Sequence, residues 1–335
     1  MNDLRRAFAV LPRPWLLADI GGTNARFGWL AEDSDTVGHV ATLRCTDHAD
    51  PAAAARAYLA GVAAERGPGY NAPRAGAFAV ATAVTGDRVA FTNSGWAFSR
   101  EGTRSALGLD ELLVLNDFEA LALSLPRLAS AQLRVWPGAG PASRGTLAVI
   151  GPGTGLGVAG LVPTAHGWVA VPGEGGHASL SAADDFDAAL LSAVRREHTH
   201  VSAERLLSGI GLPTLHQGVA AVLGQPAEAL GAEQIVERGL DGSDAVCSRS
   251  LDAFCALLGS FAGNVALTLG ARGGVYIGGG IVPRLGERFF ASDFRARFEA
   301  KGRFQPYLQA IPTALIIDTL AALSGAAQAL EQHGR

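Results

Sequence analysis

Apolar runs broken by glycine recur along the chain, and the breaks predict its elements. Trp15 to Leu30, WLLADIGGTNARFGWL, puts strand-forming residues on both sides of a turn and reads as a β-hairpin. An Ala-rich helix is expected within DPAAAARAYLAGVAAERG, closed by Gly67. AGAFAVATAV and RVAFTN read as two further strands, split by the turn residues TGD. In ELLVLNDFEALALSLP a buried strand changes sharply at Asn116–Asp117 into a helix that ends before Pro126.

A second half begins near Ser143. GTLAVIGPGTGLGVAGLV repeats the opening design of apolar strand, glycine turn and apolar strand. Phe254, Leu257, Leu258, Phe261, Val265 and Leu269 fall at helical spacing, with Gly270 as the expected C-cap. GGVYIGGGIVPR supplies a short buried strand running into glycines. TALIID is the last strand, and a terminal helix follows from Ala321 to Gln332. Two α/β halves that each open with a glycine-turned hairpin point to a duplicated architecture with a cleft between them.

At 335 residues the chain is long enough for two cores. Lys+Arg 27 against Asp+Glu 31 leaves a small negative excess and no basic run, so the composition advertises neither nucleic acid nor an anionic membrane. Cys45, Cys247 and Cys255 are scattered and lack zinc spacing; Cys247 and Cys255 read as small buried apolar groups in a reducing compartment. The apolar run Ala7 to Leu11 is too short for a signal segment and is broken by Pro12 and Pro14. Gly145 to Gly173 carries no formal charge, yet its glycines and prolines preclude a continuous helix in lipid. A cytoplasmic protein with a small soluble partner is the expectation.

Neither common phosphate motif fits. GPGTGLG has Leu156 where a Rossmann fingerprint needs its third glycine, and a strand pattern follows it; no Walker A loop occurs. What remains is two hairpin turns whose backbone N–H groups form anion-binding concavities. Thr23 and Thr154 add hydroxyls. Asp19 would repel phosphate unless a cation intervenes, which points to Mg²⁺, held directly or through water. Each turn taken alone is equally well a plain tight hairpin.

Asp117 is the candidate general base, because phosphoryl transfer to a hydroxyl needs a positioned proton acceptor. A helix N-terminus favours the anionic form there. The bland alternative is a cap: Asn116 with Glu119 three residues on resembles a capping box. PGEGGH presents Glu174 and His177 on a glycine-flanked loop, where they could equally be a polar turn; paired acceptors and donors of this kind suit adjacent sugar hydroxyls. Glu204, after a Ser202 N-cap, also reads as an acidic first-turn residue with no ligand.

ADIGGTNAR, LNDFEALAL, GPGTGLGVAGL, VPGEGGHASL, HVSAERLLSGIGL and GGVYIGGGIVPR occur in the order found in bacterial glucokinases. From about Trp15 to about Ile317 the chain resembles the ATP-dependent, enterobacterial-type group of that family. The resemblance implies an actin-like ATPase (ribonuclease H-like) fold, with two duplicated α/β domains flanking a cleft for ATP and sugar. The small domain would comprise residues 1–127 plus about 318–335, and the large domain 128–317. It implies phosphorylation of glucose at its 6-hydroxyl, with Asp117 catalytic and Asn116, Glu174, His177, Glu204 and Asn93 binding sugar. Trp96, placed near the cleft by the same resemblance, is as readily a core residue. Ala18, Asp19, Ile20, Gly21, Gly22 and Thr23, then Gly153, Thr154 and Gly155, then Gly279 and Gly280 would bind ATP, with Asp19 also on Mg²⁺. The implied partners are glucose and ATP, in a homodimer, without nucleic acid or membrane. The related repressor–kinase sugar family usually carries a cysteine-rich zinc segment, and no cysteine lies between Cys45 and Cys247. Ala18 stands where relatives often have glycine, VATAVTGD lacks a common proline, and DTLAALSG replaces a usual Pro-Gly segment, so the C-terminal match is poor. Rival readings are a kinase for another hexose, a sugar sensor on the same scaffold, and a filament-forming ATPase.

Overall fold

Five of the six residues of strand β1 (Trp15–Ile20) are buried, because the strand is covered on both faces. The computed structural model describes residues 11–91, 95–137 and 144–333. β1 turns at Gly21 into β2 (Asn24–Leu30), antiparallel from Trp15↔Leu30 to Ile20↔Ala25, and β3 (Gly38–Arg44) continues the meander. Helix α1 (Pro51–Arg66) starts where Asp50 accepts the Ala53 N–H and Pro51 opens the first turn; it stops at Gly67, with φ +55°. β4 (Ala75–Val80) then lies parallel to β1.

The RVAFTN strand is shorter than its sequence promises. β5 covers only Arg88–Ala90, pairs with β6 (Ala97–Ser99), and stands apart from the main sheet. After α2 (Arg100–Ala106), β7 (Glu111–Asn116) runs parallel to β4 and passes directly into α3 (Asp117–Ser124). The sheet order is β3-β2-β1-β4-β7. The C-terminal helix Ala321–His333 packs on α3, β4 and β1. Its closest approach is at Gly325, where a Cβ would lie 1.6 Å from the Ala120 carbonyl oxygen.

The second sheet repeats this plan. It comprises β8 (Leu133–Val135), β9 (Leu147–Pro152), β10 (Leu156–Thr164), β11 (Gly167–Gly173), β12 (Gly274–Ile277) and β13 (Thr313–Ile316), in the order β11-β10-β9-β12-β13-β8. β9 and β10 are an antiparallel hairpin, β12 and β13 run parallel to β9, and β8 is an added antiparallel edge. The charge-free stretch from Gly145 is therefore strands and turns. Helices α4 (Asp185–Val194), α5 (Leu212–Leu223), α6 (Ala232–Asp241) and α7 (Ala245–Leu269) follow between β11 and β12. Among described helices only α7 is long and apolar enough to cross a membrane, and 72% of its apolar window is buried inside the protein. Phe254, Leu257, Leu258, Phe261 and Val265 supply that burial, and Gly270 caps the helix in the left-handed region.

Contacts divide the chain into two units. The first holds Met1–Leu128, His166–Trp168 and Thr319–Arg335; the second holds Ala129–Ala165 and Val169–Asp318.

Candidate active site

In the first unit, the parallel strands end in register at Ile20, Val80 and Asn116. The glycine turn after β1 and the start of α3 therefore leave from the same carboxyl edge of the sheet, where open α/β sheets bind ligands. Two strand spacings separate them, on the order of 10 Å. Gly21 N–H donates to Asn24 O at 2.9 Å, and Cys45 N–H donates to Thr23 O at 2.9 Å, which anchors the turn from β3's side. Thr23 is exposed and Gly22 half-exposed. Ala18 and Ile20 are core residues held in the ladder between β2 and β4, so Asp19 and Gly21–Thr23 carry this segment's accessible groups.

Asp19 sits across the strand pair from Arg26, whose Nη1 is 3.9 Å from Asp19 Oδ2. Burial lifts its carboxyl above the ordinary range, and Arg26 pulls the other way. No group of three or more His, Cys, Asp or Glu residues able to hold a metal occurs among the described residues. A lone, partly desolvated carboxylate beside an anion-binding turn fits Mg²⁺ of the kind that takes most ligands from phosphate and water. It does not fit a metal caged by protein alone.

Asn116 is the N-cap of α3. Its Oδ1 accepts from Phe118 N–H at 2.9 Å and Glu119 N–H at 3.4 Å, and its Nδ2 donates to Thr82 O at 3.3 Å. The Asn116 side-chain cap read from sequence is thus present, and its Nδ2 keeps a second N–H beyond the one given to Thr82 O. Asp117 is half-buried at the first helical position, with Oδ1 fixed by Phe118 N–H at 2.9 Å. Trp96 is a core residue, 6% exposed, whose indole donates to His48 O. Asn93 lies outside the described residues.

In the second unit, Gly153 N–H donates to Gly155 O at 2.8 Å, closing the β9–β10 turn with Thr154 exposed at its tip. The end of the HVSAERLLSGIGL motif, to which no role was given from sequence, holds this turn: Gly209 N–H donates to Gly153 O at 2.8 Å and Ile210 N–H to Thr154 O at 3.3 Å. Gly279 (φ +77°) approaches the turn's other end so closely that a Cβ would meet Pro152 O at 2.3 Å. Gly279 and Gly280 are both exposed, offering bare backbone beside the turn.

Glu174, His177 and Glu204 come together in this unit. His177 Nδ1 is 3.6 Å from Glu174 Oε2, and His177 Nε2 is 3.6 Å from Glu204 Oε1. The loop carrying the first two lies flat on β10 because residue 176 is glycine; a Cβ there would stand 2.0 Å from Leu156 O. Glu204 is not in a helix, contrary to the first-turn reading. Ser202 Oγ accepts Arg205 N–H, but the chain runs through turns until α5. Backbone bonds from Ala203 N–H to Ala178 O and from Glu204 N–H to Gly176 O hold it against the His177 loop instead. The remaining Glu204 oxygen, Oε2, accepts Leu156 N–H at 2.9 Å.

Two sheets of one design, each with a glycine turn after its leading strand, make up the duplicated α/β plan of the actin-like ATPase fold. The sequence model of the glucokinase family matches residues 16–333. The chain is 50% identical over 313 residues to a glucokinase of Paramagnetospirillum magneticum, covering 93% of this chain and 96% of the relative. The crystal structure of a glucokinase from an Antarctic psychrotroph superposes with a TM-score of 0.86 at 39% identity, covering 95% and 98% of the two chains. A repressor–kinase-type glucokinase from Streptomyces griseus, solved with glucose and AMPPNP, shares the fold at a TM-score of 0.60 and 19% identity, over 94% and 98%. This chain belongs to the glucokinase family. The family match continues past Ile317 through the C-terminal helix, which corrects the earlier limit of the resemblance.

Proposed function

We propose a division of labour for the ATP-dependent phosphorylation of glucose that family membership assigns to this chain. The turns at Gly21–Thr23 and Gly153–Gly155 hold the polyphosphate through backbone N–H groups and the Thr23 and Thr154 hydroxyls. The bare backbone at Gly279 and Gly280 takes the adenosine. Asp19 would hold Mg²⁺ directly or through water, and the ion would supply positive charge against the phosphoryl oxygens. Glu174, His177 and Glu204 bind sugar hydroxyls, and Asn116 contributes its remaining amide N–H. Asp117 takes the proton of the 6-hydroxyl as that oxygen bonds to the γ-phosphorus and the bond to the β-phosphate oxygen breaks.

The observation that carries this reading is His177 bracketed by two carboxylates, an arrangement with no role in the core and suited to vicinal hydroxyls. The test is a coupled assay of purified protein with ATP, Mg²⁺ and matched concentrations of glucose, mannose and fructose. Preferential ADP release with glucose supports the assignment; preference for another hexose overturns the substrate, and ADP release indifferent to sugar overturns the pocket. A homodimer acting in the cytoplasm, without nucleic acid or membrane, completes the proposal. Light scattering that returned the mass of one chain would remove the dimer.

A further inference from the structure

We propose that Glu204 couples the phosphate turn to the sugar pocket, so that filling either one tightens the other; the idea rests on the sugar and nucleotide roles given above. The carboxylate divides its two oxygens between two jobs. Oε2 accepts Leu156 N–H at 2.9 Å, at the residue where the Gly153–Gly155 turn re-enters strand β10. Oε1 faces His177 Nε2 at 3.6 Å. The fit under the turn is close: a Cβ on Gly155 would lie 2.5 Å from Oε2.

The backbone around Glu204 reinforces the link. Its N–H donates to Gly176 O, beside His177, and its carbonyl accepts the Ser208 hydroxyl at 2.7 Å. One residue further, Gly209 N–H returns to the phosphate turn at Gly153 O. Hydrogen bonds therefore tie Glu204 to Leu156 on one side and to Gly176 on the other, with His177 facing its free oxygen, all within a single unit.

Two effects give the coupling its sign. Both ligands need the same Glu204 rotamer, so whichever binds first pays the ordering entropy and the second does not. The negative charge beneath the turn also opposes phosphate, and a sugar hydroxyl donating to Oε1 disperses that charge. Both favour positive cooperativity. Typical couplings predict a change of about fivefold or more in either affinity.

The test measures glucose affinity calorimetrically, with and without saturating Mg²⁺ and the β,γ-imido analogue of ATP, and the reciprocal titration. Three variants are compared with the parent. Glu204→Ala removes the link. Gly155→Ala keeps the carboxylate but evicts Oε2 from Leu156, at little cost because the clash is with a flexible side-chain end. Glu174→Gln weakens the sugar pocket while leaving the Leu156–Glu204 bond intact. The proposal expects a ratio of about five or more in the parent and Glu174→Gln, and a ratio near one in Glu204→Ala and Gly155→Ala. Should Glu204→Ala bind too little glucose to titrate, Gly155→Ala decides. A ratio near one in the parent, or a parent-like ratio in Gly155→Ala, overturns it. Unchanged glucose affinity in both Glu174→Gln and Glu204→Ala would instead overturn the sugar-pocket assignment, a separate failure.

Discussion

Replacing Gly325 by alanine tests whether the C-terminal helix sets the position of Asp117, the proposed base. The added Cβ would fall 1.6 Å from Ala120 O, whereas real Cβ contacts stay beyond 3.0 Å. The two helices would have to part by about 1.4 Å, and overpacking of this kind costs about 1–3 kcal/mol. The better helix propensity of alanine returns about 1 kcal/mol, so the net loss is on the order of 1 kcal/mol. The larger effect is on chemistry. Ala120 lies one helical turn from Asp117, and a misplacement of about 1 Å costs roughly 10²-fold in rate. Turnover should therefore fall about 10²-fold, while the melting temperature drops by only a few degrees. Gly61→Ala is the control: it is exposed in α1 with nothing within 4 Å of a Cβ. It should gain about 1 kcal/mol and leave turnover unchanged. The reasoning fails if Gly325→Ala keeps parental kcat, whatever its melting temperature.

Asp117→Asn should lower kcat by about 10²-fold or more while changing the KM for glucose little, as steady-state kinetics will show. Its fold should survive, because Asn116 still caps the Phe118 N–H. Asp19→Asn should melt higher than the parent at neutral pH without nucleotide, yet gain little when Mg²⁺ and ATP are added. Burial raises the folded-state pKa of Asp19, so stability is lost as pH climbs through that raised value, and the advantage of asparagine should vanish below the ordinary 3.8. Equal melting of the two proteins at neutral pH would contradict this. Gly279→Ala, strained at φ +77° and meeting Pro152 O, should weaken ATP binding by calorimetry far more than glucose binding.

Both hairpins, the β7–α3 junction and α7 were legible because each depends on neighbours in sequence: turn glycines, a cap three residues from its partner, an apolar stripe at helical spacing. The duplicated plan followed from seeing the hairpin twice. Glu204 was misread locally because Ser202 does make the expected i to i+3 bond. What diverts the chain there is pairing with Ala178, Gly176 and Gly153, partners that periodicity does not reveal. Asn116 was legible as either cap or ligand, and the structure shows the first use; the second remains the proposal made for its other amide N–H. The contact of Gly325 with Ala120 had no local signature at all. A glycine within a helix costs about 1 kcal/mol, and only the partner helix explains it.

That contact also orders events during synthesis. Every strand and helix of the second unit is complete before residues 319–333 emerge, but α3 lacks its main packing partner until they arrive. A nascent or truncated chain can thus fold one half while the helix that carries Asp117, the proposed base, still waits for its support.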